Sequence, residues 1–442
     1  MLYSTPEDHD QPVKVTLERL PESRVQLDIE VDADRLERSL DAAYKRLAGK
    51  AKIPGFRPGK APRPVVERLV GREGLIREAI EKLVPDAYNE AIESEDVDAI
   101  DQPELEILEL EPVRFKATVP VRPSVDLGDY TSIRVEPETV EVTDDMVNEQ
   151  FMLLRRRYAT QAPVDRGAQW DDVLTGDVVA EIEGEPFVSD TDAEFPLREG
   201  RTLFIEGLAE AFLGMKKGDE KTLDIQVPED FQVERARGKT ASFKLAVKEV
   251  KEEILPDEDD EFANQVNADE FPTFDALRER ITTDLTDALK DQAENVLRQK
   301  AVDQLVEVAT LEYPRVVVER EIDNLVRESL GNDQQAYAAY LQQVGRGAAE
   351  YRESLRETAE TRVRRSLVLS KLADVEGIEV TDADVDEELD RLTAPMGDDA
   401  ARFREMFATP EGIATIRRNR LTQATLDRLS AIARGEVQEE QA

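Results

Sequence analysis

The apolar residues of this chain fall into stretches of different period, and each change of period marks an element. Val25, Leu27, Ile29 and Val31 alternate with polar residues, which lays one face of a strand on a core. Asp32 or Asp34 then opens a helix in which Leu36, Leu40, Ala43 and Leu47 recur at three- and four-residue steps, ending at Gly49. Past a loop, Pro64-Val65-Val66 starts a second helical stretch. Gly74-Leu75-Ile76 starts a third, which carries Ile80, Leu83, Val84, Ala87 and Ile92. Extended periodicity returns at Leu105, Ile107, Leu108 and Leu110, and again at Phe115, Ala117, Val119 and Val121. Residues 1–121 are therefore expected to form a small α+β domain.

Residues 122–160 read as a linker, punctuated by Pro123 and Pro137, and a helix that packs with the C-terminal region. Thr143-Asp144-Asp145 caps this helix, and Val147, Phe151, Leu154 and Tyr158 share one side. Residues 161–250 are mostly short strands: Val179 and Ile182, then Leu223, Ile225 and Val227, then Phe243, Leu245 and Val247. A short helix is expected between Gly207 and Met215. The acid run Asp257-Glu258-Asp259-Asp260-Glu261 is expected to stay extended and solvated, because like charges repel. Residues 251–442 then read as helical throughout, starting with a long helix capped by Thr273 and broken near Pro314. Glu379-Val380-Thr381-Asp382 echoes Glu141-Val142-Thr143-Asp144, two Thr-capped helix starts with acidic first turns. The fold class is α+β and multidomain: a small α+β domain, a sheet-rich middle domain and an all-helical C-terminal domain. A length of 442 residues agrees, since about 150 residues per domain predicts roughly three.

Composition narrows the chemistry. The chain has no cysteine and one histidine, His9, so disulfides, thiolate metal sites and Cys-His or Ser-His-Asp catalysis are excluded. No metal or cofactor is expected. No apolar run approaches the roughly 20 residues that span a bilayer, and the N-terminus lacks a basic stretch followed by an apolar one. A cytoplasmic protein without membrane contact is expected. Lys and Arg number 58 against 98 Asp and Glu, a net charge of −40, so the body as a whole is repelled by nucleic acid and any RNA contact must be local.

One segment runs against that charge. From Ala42 to Val66 there is no acidic residue, while Lys45, Arg46, Lys50, Lys52, Arg57, Lys60 and Arg63 are all present. At its centre, Gly55-Phe56-Arg57-Pro58-Gly59-Lys60-Ala61-Pro62 sets two glycines and three prolines around one aromatic and two cations. Such a tip suits a phosphate-rich surface: Arg57 and Lys60 would neutralise phosphates while Phe56 stacks on a base or enters an apolar pocket. The plainer reading is a solvated basic turn with Phe56 tucked into its own core. A nucleotide-binding P-loop does not fit, because Gly55 stands too close to Gly59-Lys60 and no Ser or Thr follows.

Gly55 to Pro62 resembles, residue for residue, the ribosome-docking signature of the trigger factor family, bacterial chaperones at the exit of the peptide tunnel, and the order of domains agrees over essentially the whole chain. The resemblance implies that Gly55, Phe56, Arg57, Pro58, Gly59 and Lys60 contact a protein of the large ribosomal subunit and adjacent ribosomal RNA.

The middle region is similar to prolyl isomerases of the FK506-binding type. Ile205-Glu206-Gly207-Leu208, the short helix and Gly214-Met215-Lys216-Lys217-Gly218 carry the likeness. It implies a proline pocket lined by Ile182, Phe187, Phe195, Ile205, Leu208 and Phe243. Leu208, Ile182, Val188 and Glu206 depart from the family pattern, so a weakened isomerase and a peptide-binding module are both open, as is a plain sheet core. Isomerisation would need no acid or base. The planar amide resists rotation by about 18–20 kcal/mol, and an apolar surface favours its twisted, less resonance-stabilised form.

The helical region carries no motif, and long amphipathic helices commonly close into a bundle. Its mixture of Tyr337, Tyr340, Phe403, Met406 and Phe407 with Gln, Ala and charged residues suits adaptable contact with unfolded chains. The family resemblance implies arms around a cradle, with the N- and C-terminal thirds at opposite ends of an elongated body. The expected function is a ribosome-associated chaperone that holds nascent and unfolded polypeptides and isomerises prolyl bonds. A free cytosolic prolyl isomerase and an acidic RNA-associated scaffold are the rivals, and whether free molecules form a homodimer is left open.

Overall fold

The computed structural model describes residues 13–50, 56–57, 60–331, 333–345 and 347–436. Strands β1 (Val13–Leu20) and β2 (Arg24–Val31) form a hairpin in register from Val13 opposite Val31 to Leu20 opposite Arg24. Helices α1 (Ala33–Lys50), α2 (Arg63–Val70) and α3 (Arg72–Ser94) follow, then β3 (Glu104–Leu110) and β4 (Val113–Pro120). The strands make an antiparallel sheet in the order β1-β2-β4-β3. Alternation builds the core: Leu27 and Ile29 of β2 and Phe115 and Ala117 of β4 face Leu36 and Leu40 of α1 and Leu75, Ile80 and Leu83 of α3. A three-residue strand, β5 (Ser124–Asp126), ends this part.

Next come α4 (Asp144–Arg157), β6 (Thr160–Pro163), β7 (Asp172–Ile182), β8 (Glu185–Pro196), α5 (Leu208–Phe212), β9 (Glu220–Gln226) and β10 (Thr240–Ile254). The 15-residue β10 pairs with β7 along one side, so β9 and then β6 take its other side, and β8 pairs with β7. Helix α5 lies in the core of this sheet, contributing Leu208, Ala209, Ala211 and Phe212. Helices α6 (Asp260–Asn267) and α7 (Phe274–Val308) follow. Phe262 and Ala263 of α6 and Leu277 of α7 pack with Val147 and Phe151 of α4.

The remaining elements are β11 (Thr310–Glu312), α8 (Arg315–Leu330), α9 (Gln334–Val344), α10 (Ala348–Ser354), α11 (Arg356–Val375), α12 (Asp382–Thr393), α13 (Ala400–Phe407) and α14 (Pro410–Arg434). The chain divides into two compact units. One holds the residues up to 137 together with those from 294 onward, and the other holds 138–293. Helix α7 begins in the second and ends in the first.

Several expectations need correction. The N- and C-terminal thirds are not at opposite ends, since both belong to one compact unit: β11 pairs with β5, and the Ser23 hydroxyl donates to the Glu312 carbonyl at 2.8 Å. The helical region of residues 251–442 includes the three-residue strand β11, and residues 122–137, expected as a linker, pack into the core of that region. Leu127, Ile133 and Val135 are buried with Leu297, Leu305, Val368, Leu372 and Leu429. The acid run is not a repelled, extended spacer either. Asp259 caps α6 by accepting from the Phe262 N–H at 2.9 Å, Asp260 accepts from the Phe274 N–H at 2.8 Å, and Glu258 pairs with Arg155 at 2.6 Å. Each local partner offsets the repulsion that the sequence pattern shows by itself.

Candidate functional sites

The basic segment joins α1 to α2, and a small core of its own clamps its base. Ala48, Ala61 and Val66 are buried there with Tyr44, Leu47 and Val65 around them, and the Tyr44 hydroxyl donates to the Ala61 carbonyl. Two of the seven cations serve this base. Arg46 donates to the Glu78 carboxylate at 3.1 Å and carbonyl at 2.7 Å, and Arg63 reaches Asp41 at 2.6 Å and Glu37 at 3.0 Å. Further out, the Lys60 N–H donates to the Arg57 carbonyl at 2.9 Å. Phe56 is 41 % exposed, and Arg57 and Lys60 are exposed. Among the described residues neither cation forms an ion pair. Gly55, Pro58 and Gly59 lie outside the described residues.

The six residues expected to line a proline pocket all belong to the core of the β6–β10 sheet or pack against it, but not equally. Leu208 and Phe243 have no accessible surface, Ile182, Phe195 and Ile205 are buried, and only Phe187 is half-exposed. Leu208 and Phe243 thus lie wholly inside the core of the sheet. The structure adds three aromatic residues that the sequence pattern passed over. Phe195 stacks on Phe212 with ring centroids 5.8 Å apart and meets the edge of Phe204 at 6.2 Å, while Phe187 meets Phe231 at 5.9 Å. Phe204, 45 % exposed, is held out by a tight turn in which the Ile205 N–H returns to the Leu203 carbonyl. Its φ of +56° is strained for a β-carbon residue, whereas Gly207 enters α5 at +88° without that penalty. Phe231 sits where the chain turns after Pro228, its N–H donating to the Pro228 carbonyl. Pro228 and the Phe204-Ile205 adjacency were the available signals. Beside Phe187, a small recess is lined by Ile182, Glu183, Glu185, Pro186, Arg235 and Lys239, with Lys239 paired to Glu183 at 2.8 Å. Two groups of aromatic rings on one apolar core suit amide twisting by apolar contact.

In the helical region the expected client residues form two separate groups. Tyr337 and Tyr340 of α9 turn onto Tyr351 of α10, with ring centroids 6.2 Å and 5.5 Å apart, and are half-buried by it. On α13, Phe403 is half-buried while Met406 and Phe407 are exposed, and Arg402, Phe403, Glu405 and Met406 border an open hollow. Arg404 ties α13 to α12 through Asp386 at 2.7 Å and through Asp390. The neighbouring Leu392 and Met396 are exposed as well. Among the described residues no group of side chains is arranged to hold a metal ion, and no helix is long and apolar enough to cross a membrane.

Comparison with known proteins bears on all three regions. The family model for bacterial trigger factor protein matches residues 13–154, that for the trigger factor C-terminus matches residues 273–431, and that for FKBP-type peptidyl-prolyl cis-trans isomerase matches residues 165–250. Trigger factor of Geobacillus thermodenitrificans is 35 % identical over 408 residues, covering 91 % of this chain and 95 % of that one. Those of Desulforudis audaxviator and Carboxydothermus hydrogenoformans are 34 % and 36 % identical, over 92 % and 90 % of this chain and 94 % of each relative. A solved structure from work on promiscuous substrate recognition in the folding and assembly activities of the trigger factor chaperone matches with a TM-score of 0.52 and 25 % identity, covering 94 % of this chain and 99 % of that one. With a clamped cationic tip, an aromatic-edged FKBP-type sheet and helices that leave apolar residues exposed, the chain belongs to the trigger factor family, the ribosome-associated chaperones that bind nascent chains and carry a peptidyl-prolyl cis-trans isomerase domain.

Proposed function

We propose that residues 55–60 dock this chain on the large ribosomal subunit, Phe56 entering an apolar site on a ribosomal protein while Arg57 and Lys60 neutralise phosphates of adjacent ribosomal RNA. The observation that carries this reading is the exposed, unpaired tip on a separately cored base, in a chain of net charge −40. The four expected segments then divide the work. Residues 1–121 dock, residues 122–160 connect, their first part built into the helical core, residues 161–250 isomerise prolyl bonds, and residues 251–442 hold unfolded polypeptide on surfaces around Phe403, Met406 and Phe407, with Tyr337 and Tyr340 shaping a second one. Within the isomerase, Phe187, Phe204 and Phe231 touch the substrate, and Phe195, Ile205, Ile182, Leu208 and Phe243 hold them in place. The chain works in the cytoplasm, partly on ribosomes and partly free, where a homodimer is its second state. Changing Phe56, Arg57 and Lys60 together to Ala should abolish cosedimentation with ribosomes and leave the thermal melt unchanged; ribosome binding at the wild-type level would exclude the docking role.

A further inference from the structure

The sheet of residues 13–120 ends in a strand that none of the described residues covers. Helices α1 and α3 build the core on β1, β2 and β4, and no residue of β3 joins that core. In the register with β4, Leu105 stands opposite Ala117, Ile107 opposite Phe115 and Leu110 opposite Val113, so these three lie on the core face of the sheet. All three are nonetheless exposed, at 46 %, 47 % and 36 %, as is Leu108 at the bulge between Ile107 and Glu109. Beyond the strand's end, Arg72 at the start of α3 donates to Glu111 at 2.7 Å. The opposite face carries Glu104, Glu106 and Glu109, opposite Thr118, Lys116 and Arg114. Among the described residues, β3 pairs only with β4, so its outer row of N–H and C=O groups is open.

The geometry points to this edge as a second polypeptide-binding site, one that accepts an extended segment alternating apolar and Lys or Arg residues as a fifth strand. Main-chain pairing would satisfy the open row, the apolar residues would continue the core face over Leu105 and Ile107, and the cations would meet Glu104, Glu106 and Glu109. A second copy of this chain fits poorly, because any register that joins two apolar rows also joins two glutamate rows, in bodies that each carry −40. Acidic or mixed segments meet the same repulsion. Of the devices that blunt a natively exposed edge, β3 has a bulge and glutamates on one face but no lysine or proline. The site shares no residue with the docking tip or the isomerase face, and its test is independent of both.

The probe is a fluorescent peptide of about nine residues alternating valine and lysine, the length of a short strand. Fluorescence anisotropy with the full chain should show binding that falls at least about tenfold when glutamate replaces lysine in the peptide, or when Glu104, Glu106 and Glu109 are changed to Lys. Methylating alternate backbone nitrogens of the peptide should weaken binding equally. This arm uses the unaltered protein, so it stands even if the Lys variant fails to fold. Hydrogen exchange on the complex should slow at residues 104–110. Equal binding of the two peptides, indifference to methylation, or unchanged exchange in β3 would overturn the proposal. So would a self-association that the Glu→Lys changes strengthen, which would assign the edge to a second copy.

Discussion

Tyr130 shows how a single side chain ties distant parts of the chain together. Its hydroxyl donates to Glu376 at 2.7 Å, and Arg428 donates to the same carboxylate at 2.6 Å. Burial first, and then the hydrogen bond and charge of Glu376, push the phenol up to about 12. Because the folded value is raised, the stabilisation is complete below the ordinary tyrosine value of about 10 and is lost as pH climbs from there toward 12. Tyr130→Phe should cost about 1 kcal/mol at neutral pH and flatten the dependence of urea midpoint on pH in that window. At the isomerase face, exposure decides which substitutions are informative. Phe195 is buried between Phe212 and Phe204, so Phe195→Ala would remove about 3–5 kcal/mol of stability and confuse folding with catalysis. Phe187→Ala or Phe231→Ala should instead lower kcat/KM on a prolyl tetrapeptide about tenfold with little change in Tm. The phenylalanines at 187 and 195 were legible as a set, because a family pattern spaces them along strands. Phe204 and Phe231 were not, since their partners come from residues far along the chain and no local period announces an edge-to-face pair.

Elements follow the same division. Helix starts were readable where the cap is local: the Thr143 hydroxyl accepts from the Met146 N–H, and Thr381 and Asp384 form a reciprocal capping box. Strand β3 was readable as a strand and misleading as a core element, because periodicity reports which residues share a face but not whether a helix lies over it. Glycine in β7 makes the opposite case. A β-carbon on Gly176 would stand 2.2 Å from the Ala246 carbonyl oxygen of β10, at a bulge in the pairing with β8. Gly176→Ala should therefore separate β7 from β10 and destabilise the isomerase sheet by roughly 1–3 kcal/mol, measured by chemical denaturation. Nothing in the sequence around Asp177 distinguishes that glycine from one in a flexible loop.

At the scale of the whole molecule, docking through residues 55–60 would bring a body of net charge −40 to a polyanionic ribosome on two cations that form no ion pair among the described residues. If Arg57 and Lys60 each neutralise one phosphate, ribosome affinity should fall with salt at a log-log slope of about −1.5. Cosedimentation across a salt series checks this. In a variant that keeps Phe56 but carries Arg57→Ala and Lys60→Ala, the slope of the residual binding should vanish or reverse, since salt then only screens repulsion. Local information along the chain was enough to determine the Thr-capped helices, the cleanly alternating strands such as β2, β4 and β10, the acid-free basic segment and its glycine-proline tip, because capping, alternation and charge act over a few residues. Only the tertiary structure decided that β11 returns to β5, that Arg46 and Arg63 are spent on the base while Arg57 and Lys60 stay free, and that one strand keeps its apolar row in water. Those outcomes depend on partners far apart along the chain, and whether a side chain is covered or paired is settled by what packs against it.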